Sequence, residues 1–205
     1  ESEPSYKPDI IMRNSGYLFG YWQSEKYFGD IRDVILKNFD FSKGDLNEET
    51  RSLLERINGV NSLNEVSVAL HVRGGDYLSK AARSFGGICT KEYYCKAIEY
   101  IAQKIKNPKF YIFTNDKEYA KAIVDAVLDS TEESLSYHFV EGNDESHAYL
   151  DLVLMSKCKH HILANSSFSW WGEYLSDQSG ITIAPSKWTN DSDNKDIYRN
   201  NWVVL

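Results

Sequence analysis

Three cysteines, no apolar run long enough to span a bilayer and no excess of basic charge set the first limits on this 205-residue chain. Cys89, Cys95 and Cys158 form no C-x-x-C pair and leave an odd count, which argues against a disulfide framework or a thiolate metal site and for buried, reduced thiols. The longest apolar runs are strand-sized, well short of the roughly 18 residues a membrane helix needs. With 23 basic against 30 acidic residues and a net charge of −7, the chain lacks a general field for nucleic acid or anionic lipid. Any phosphate must therefore be held by a local pocket. No G-x-G-x-x-G follows a strand and no Walker A element occurs, which leaves oxidoreductase and NTPase readings unsupported. Internal repeats and low-complexity tracts are absent, and the chain opens at Glu1 with neither a methionine nor a signal peptide.

The composition that remains, 42% apolar and 14% aromatic, suits a globular protein of one large or two small domains. Residues 1–16 are polar, carry Pro4 and Pro8, and read as an extended lead-in. Tyr27, Phe28, Ile31, Val34, Ile35 and Phe39 follow helical spacing after Ser24, a plausible N-cap. A second helix is expected from about Asn47 to Ile57, stopping at Asn58-Gly59. After Asn64 strands and helices alternate. Strands are expected at 65–73, 110–113, 136–140, 161–164 and 181–184, and helices at 91–105, 117–128, 148–157 and 168–175. Strands that are apolar on both sides and alternate with helices predict an α/β fold, a Rossmann-like parallel sheet with helices on both faces. Ligands bind beyond the carboxyl ends of such strands.

Three segments carry chemistry. His71-Val-Arg-Gly-Gly-Asp-Tyr77 ends the first strand, with His71 and Arg73 on one side of it. Arg73 offers a rigid donor fork for phosphate oxygens, His71 a further hydrogen bond, and Gly74-Gly75 a close backbone approach. An ordinary strand end with a salt-bridged arginine reads equally well. Asn165-Ser-Ser-Phe-Ser-Trp-Trp-Gly172 opens a helix, where free N–H groups and the dipole favour an anion. Simple N-capping by Ser166 or Ser167 is the plainer alternative, and Trp170 and Trp171 read as packing residues. Asp151 is the only acid on an otherwise apolar helix. It is either a solvated carboxylate or an acceptor for the two N–H donors of a guanine edge. Asp191-Ser-Asp193 has the outline of a metal-binding D-x-D but lies in a polar stretch and reads as a solvated loop.

Together these residues resemble glycosyltransferase family 11, the α-1,2-fucosyltransferases. His71–Tyr77 is similar to the family's H-x-R-R-G-D-Y element, which α-1,6- and protein O-fucosyltransferases share in looser form. The run from Asp151 to Gly172 resembles its second long block, and Gly20–Phe28 and Ala184–Trp188 are two further matches in the same order. The resemblance implies the C-terminal half of a GT-B architecture, with residues 1–64 as the helical tail of an N-terminal, acceptor-side domain and 65–205 as the donor domain. It also implies inverting, metal-independent transfer of fucose from GDP-fucose to a galactoside hydroxyl of a glycan in α-1,2 linkage. On this resemblance Arg73 holds the β-phosphate, His71 contributes to the nucleotide pocket, and Asp151 reads guanine. Asn165, Ser166 and Ser167 line the phosphate-sugar side. Asp76, the nearest carboxylate, is the candidate general base, although its spacing also suits locking the turn after Gly75. GDP-fucose and a glycan acceptor are the expected partners. No cofactor, metal or nucleic acid is expected, and the place is the cytoplasm or the membrane periphery of a bacterium. Two departures stand out. Gly74 occupies the position of the family's second Arg, and restoring that arginine is expected to raise transfer. The family's opening G-L-G-N-Q element is absent, so the chain is expected to bind nucleotide without transferring sugar. A non-catalytic guanine-nucleotide-binding relative and an enzyme using another nucleotide sugar are the competing readings.

Overall fold

The structure, a computed structural model, describes residues 5–11, 15–17, 19–40, 46–60, 64–79, 81–130, 135–141, 143 and 145–205. Its centre is a parallel sheet of six strands: β1 (Val66–Val72), β2 (Pro108–Thr114), β3 (Ser136–Phe139), β4 (His160–Ile162), β5 (Thr182–Ala184) and β6 (Val203–Val204). Their spatial order is β3-β2-β1-β4-β5-β6. Chain direction therefore reverses its march across the sheet between β1 and β4, where Val68 pairs with His160 and Leu70 with Ile162. A crevice opens beyond the strand ends at such a reversal.

Seven helices accompany the sheet among the described residues: α1 (Pro8–Ile11), α2 (Arg32–Asn38), α3 (Glu48–Val60), α4 (Lys91–Lys104), α5 (Lys117–Ser130), α6 (Ala148–Lys157) and α7 (Ser167–Tyr174). The strand alternation divides them between two faces. Val68, Leu70 and Val72 of β1, with Phe110 and Ile112 of β2, pack against Tyr94, Ile98 and Ile101 of α4 and Ile123 and Val127 of α5. The residues between them, Ala69, Tyr111 and Phe113, meet Leu53 and Ile57 of α3 and Leu154 and Met155 of α6 on the opposite face. Each fully buried aliphatic side chain contributes roughly 1.5–3 kcal/mol by leaving water. A third cluster of Leu163, Trp170, Tyr174, Ala184, Trp188, Ile197 and Trp202 closes the β5–β6 side. The expected Rossmann-like sheet with helices on both faces is thus the architecture found.

Several local expectations change. The 1–16 lead-in contains α1, because Pro8 sits at a first helical position where its missing N–H costs nothing. It is also tied down by a Tyr6 N–H donated to Asp196 (2.8 Å) and a Lys7 N–H donated to the Tyr27 hydroxyl (2.9 Å). The expected helix from Ser24 is two 3-10 turns, Glu25–Tyr27 and Gly29–Ile31, before α2. Ser24 does cap the first turn. Phe28 breaks the run because its ring stacks on Trp171 (5.5 Å, 16°) and meets Tyr174 edge-on (5.4 Å). The second helix runs through Asn58-Gly59 to Val60, held by the burial of Leu53 and Ile57. Strand β6 has only two residues and no pattern to betray it. It exists because Ile183 and Ala184 of β5 offer it an edge. The boundary expected after residue 64 falls between α3 and β1, which share a core cluster. All three cysteines are free.

Candidate functional site

The carboxyl ends of β1 and β4 lie side by side at the reversal point, and each continues into one of the chemistry-bearing segments. From β1 comes His71, 4% exposed, on the α6 and α7 side of the sheet, its ring 5.6 Å from that of Phe168. Burial, reinforced by the Arg73 charge, pushes its imidazole from the usual 6.5 down to about 3, so the ring is neutral. Its Nδ1 is buried with no hydrogen-bond partner among the described residues, and the same holds for Nε of Arg73 two residues on. Two orphaned polar groups at one strand end are unusual, since buried polar atoms are nearly always paired. The rest of the Arg73 guanidinium donates from Nη2 to Asp76 (2.9 Å) and lies 5.3 Å from the centre of the Tyr77 ring.

Beyond Arg73 the backbone turns at once. Gly75 adopts φ +54°, in the left-handed region, and a short 3-10 turn, Gly75–Leu78, follows. Asp76 is well exposed, and its carboxyl is held below the usual range, first by the hydrogen bond from Arg73 and also by one from Asn115 (3.1 Å). The loop is held from β2: Asn115 Oδ1 accepts the Gly74 N–H (2.9 Å) and Asp116 Oδ2 the Gly75 N–H (3.0 Å). A Cβ on Gly74 would stand 2.6 Å from Asp116 Cβ and 3.0 Å from the Tyr119 ring. The arginine expected to raise transfer would need space that Asp116 and Tyr119 occupy.

From β4 comes the turn into α7. Ser166 has extended backbone angles and accepts the Phe168 N–H (3.3 Å), so it is the N-cap of α7. Ser167 stands in the first turn, exposed, its hydroxyl accepting a hydrogen bond from the Gln23 side chain. Asn165 is almost fully buried. Its Nδ2 donates to the carbonyls of Phe85 (2.9 Å) and Trp188 (3.1 Å), and its Oδ1 accepts from the Cys89 thiol (3.3 Å). The Tyr77 hydroxyl donates to the Asn165 carbonyl (3.3 Å), joining the two segments directly. The Asn165 amide is thus committed to three partners in two loops.

Asp151 lies in the first turn of α6, which enters from the carboxyl edge of the sheet. It is half-buried, and that burial raises its carboxyl above the usual value against the hydrogen bond it accepts from Asn143 (2.6 Å). Asn143 in turn accepts from Asn47 (3.1 Å), whose Oδ1 caps α3 at Thr50 (2.7 Å). The structure therefore brings His71, Arg73, Asp76, Asn165, Ser166 and Ser167 into one connected site. It places Asp151 in a second polar group at the same edge, with no hydrogen bond or ion pair joining the two among the described residues. Asn115, Asp116, Gln23 and Cys89 were missed from sequence. Only Gln23, inside the Gly20–Phe28 segment, carried a signal. Asp193 is exposed and pairs with Lys195 (3.1 Å), and no group of three or more His, Cys, Asp or Glu among the described residues could hold a metal ion. No helix among them is long and apolar enough to cross a membrane.

The profile of Glycosyl transferase family 11 matches residues 9–205, nearly the whole chain. The chain belongs to glycosyl transferase family 11. Among its relatives, an alpha-1,2-colitosyltransferase of Escherichia coli is 36% identical over 191 residues, covering 92% of this chain and 61% of that protein. The O-antigen biosynthesis glycosyltransferase WbnK, also of Escherichia coli, is 29% identical, covering 96% of this chain and 63% of that protein. Galactoside alpha-(1,2)-fucosyltransferase 1 of Leontopithecus chrysomelas is 26% identical, over 82% of this chain and 45% of that protein. The chain spans less than two thirds of the length of each of them.

Proposed function

We propose that this family 11 chain is the nucleotide-sugar-binding part, one half of a GT-B arrangement, of an inverting glycosyltransferase that moves fucose from GDP-fucose to a galactoside hydroxyl in α-1,2 linkage. The observation that carries the reading is the pair of buried, unpartnered groups, His71 Nδ1 and Arg73 Nε, at the carboxyl end of β1, where the strand order reverses. A diphosphate supplies several acceptor oxygens for the Arg73 fork, and one for His71 Nδ1 in the tautomer that carries its proton there.

The division of work follows from the residues. Arg73 meets the developing negative charge of the departing GDP, the largest electrostatic demand of such a transfer, without a metal ion. Neutral His71 contributes a directed hydrogen bond rather than charge. The first turn of α7, behind the Ser166 cap and the exposed Ser167 hydroxyl, adds its dipole to the same side. Asp151, less acidic than usual and half-buried, accepts the N–H donors of guanine in this reading. Asp76 is held as a low-affinity proton acceptor by Arg73 and Asn115, so its part in this account is to aim Arg73. Asn165 sets the turn through its loop contacts. A second reading, transfer of colitose in place of fucose, is favoured by the 36% identical relative, whose name specifies that sugar.

Calorimetric titration with GDP, GDP-fucose, GDP-mannose, the GDP derivative of colitose and UDP tests the reading. GDP is expected to bind and UDP at least about tenfold more weakly, the loss of one well-made pair of hydrogen bonds to the base. Equal binding of UDP would sink the role of Asp151. A clear preference for the colitose derivative over GDP-fucose would move the assignment to the second reading.

A further inference from the structure

The Arg73 loop has no direct support from its own strand once β1 ends at Val72, and neither glycine behind Arg73 has a side chain to anchor it. Its two glycine amides are held from the end of the neighbouring strand. Asn115 and Asp116 follow β2 directly, in register with β1, where Val72 pairs with Thr114. The Asn115 carboxamide makes contacts of both polarities: Oδ1 accepts the Gly74 N–H (2.9 Å) while Nδ2 donates to Asp76 Oδ1 (3.1 Å). Asp116 divides its two oxygens. Oδ1 accepts the Tyr119 N–H (3.0 Å), capping α5, and Oδ2 accepts the Gly75 N–H (3.0 Å). Two consecutive loop amides and the carboxylate that aims Arg73 are thereby fixed from one dipeptide.

The structure assigns to Asn115 and Asp116 the role of positioning residues, a latch that holds Arg73 and Asp76 in the geometry the nucleotide diphosphate needs. This rests on the reading of the Arg73 crevice as the diphosphate site. The latch acts on the ligand only through the loop: Asn115 restrains Asp76, Asp76 restrains the Arg73 guanidinium, and the two amide bonds keep the backbone between them from swinging away. It also accounts for Gly74. The carboxylate that captures the Gly75 N–H lies where a Cβ on residue 74 would stand, 2.9 Å from Oδ2, so latch and side chain exclude one another. In this chain the loop is ordered by hydrogen bonds from β2, and Arg73 is the cation it presents.

Asp116→Asn separates this role from a purely structural one. An asparagine still caps α5 with its single oxygen, but its amide nitrogen then faces the Gly75 N–H. Native chain, Asn115→Ala and Asp116→Asn are compared by amide hydrogen exchange at Gly74 and Gly75, by thermal unfolding and by GDP titration. The expected result is faster exchange at Gly74 in Asn115→Ala and at Gly75 in Asp116→Asn, with the melting temperature of Asp116→Asn unchanged. GDP binding is expected to weaken about tenfold in both variants, on the scale of one or two net hydrogen bonds. Native-like GDP affinity in folded Asp116→Asn overturns the inference and leaves the site reading standing. If the native chain itself binds no GDP, the site reading falls, and unchanged amide exchange in Asp116→Asn then overturns the latch as well. Should Asn115→Ala fail to fold, Asp116→Asn alone decides.

Discussion

The space directly over the Gly74 Cα belongs to Asp116, whose Cβ is 2.6 Å from where a side chain at position 74 would begin. Contacts that short are not found between real side-chain carbons, so a substitution must displace Asp116 from the end of β2. Gly74→Ala is expected to cost about 1–3 kcal/mol, as other overpacked sites do. Gly74→Arg is expected to cost at least as much and to raise no activity. Urea unfolding checks the first figure. In an Asp116→Gly background the cost of Gly74→Ala should shrink, which a double-mutant cycle measures.

Two buried histidines make stability fall in mild acid. In the folded chain His71 is held down at about 3 and His160 at about 4, in both cases chiefly by burial, against 6.5 when unfolded. Below 6.5 the unfolded chain takes up protons that the folded chain refuses, so unfolding is favoured as pH drops. The loss begins near 6.5 and continues to about 4 for His160 and about 3 for His71, at up to about 1.4 kcal/mol per pH unit for each group. His71→Gln should flatten the dependence between pH 6 and 4, measured by denaturant midpoints. An unchanged slope would contradict the neutral imidazole.

Arg199 ties the beginning of the chain to its end. It donates from Nε to Glu25 (2.7 Å) and from Nη1 to both oxygens of buried Glu173 (3.0 and 3.1 Å). Arg199→Met leaves Glu173 as an uncompensated buried carboxylate, and a loss of about 3–5 kcal/mol in unfolding free energy is expected. Replacing both Arg199 and Glu173 with apolar residues should recover much of it.

Asn165 is expected to matter to stability more than to affinity. Asn165→Ala strands the Phe85 and Trp188 carbonyls and the Cys89 thiol, at a cost of about 1–3 kcal/mol. Thermal unfolding reads it directly, and a wild-type melting temperature would contradict the loop contacts.

Most of the sheet could be read from residue pattern because its strands are buried on both faces and its helices are amphipathic. Both signals are local. The β1 segment 66–72 is apolar but for Ser67 and His71, and the helix expected at 148–157 is α6. What escaped depends on contacts between distant residues. The two-residue β6 exists only against β5, and the helix expected after Ser24 is broken because Phe28 reaches across to Trp171. In the site, His71, Arg73 and the Ser166-Ser167 turn stood out because each has its chemistry beside a strand end. Asn115 and Asp116 did not: an Asn-Asp pair after a strand is an ordinary helix cap, and its hold on the Arg73 loop arises from the pairing of β1 with β2. Asn165 reads as a ligand contact because it stands beside Ser166 and Ser167 at the end of a strand. The carbonyls that occupy its amide come from residues 80 and 23 positions away.

The most direct test of the account is the GDP affinity of the chain with and without the Arg73 guanidinium. Calorimetry of the native chain and of Arg73→Ala, with melting temperatures to certify folding, should show saturable GDP binding that weakens by at least about a hundredfold in the variant, as expected for a charge-assisted pair lost from a partly buried site. A folded Arg73→Ala that binds GDP as tightly as the native chain would contradict the assignment of this crevice to the diphosphate.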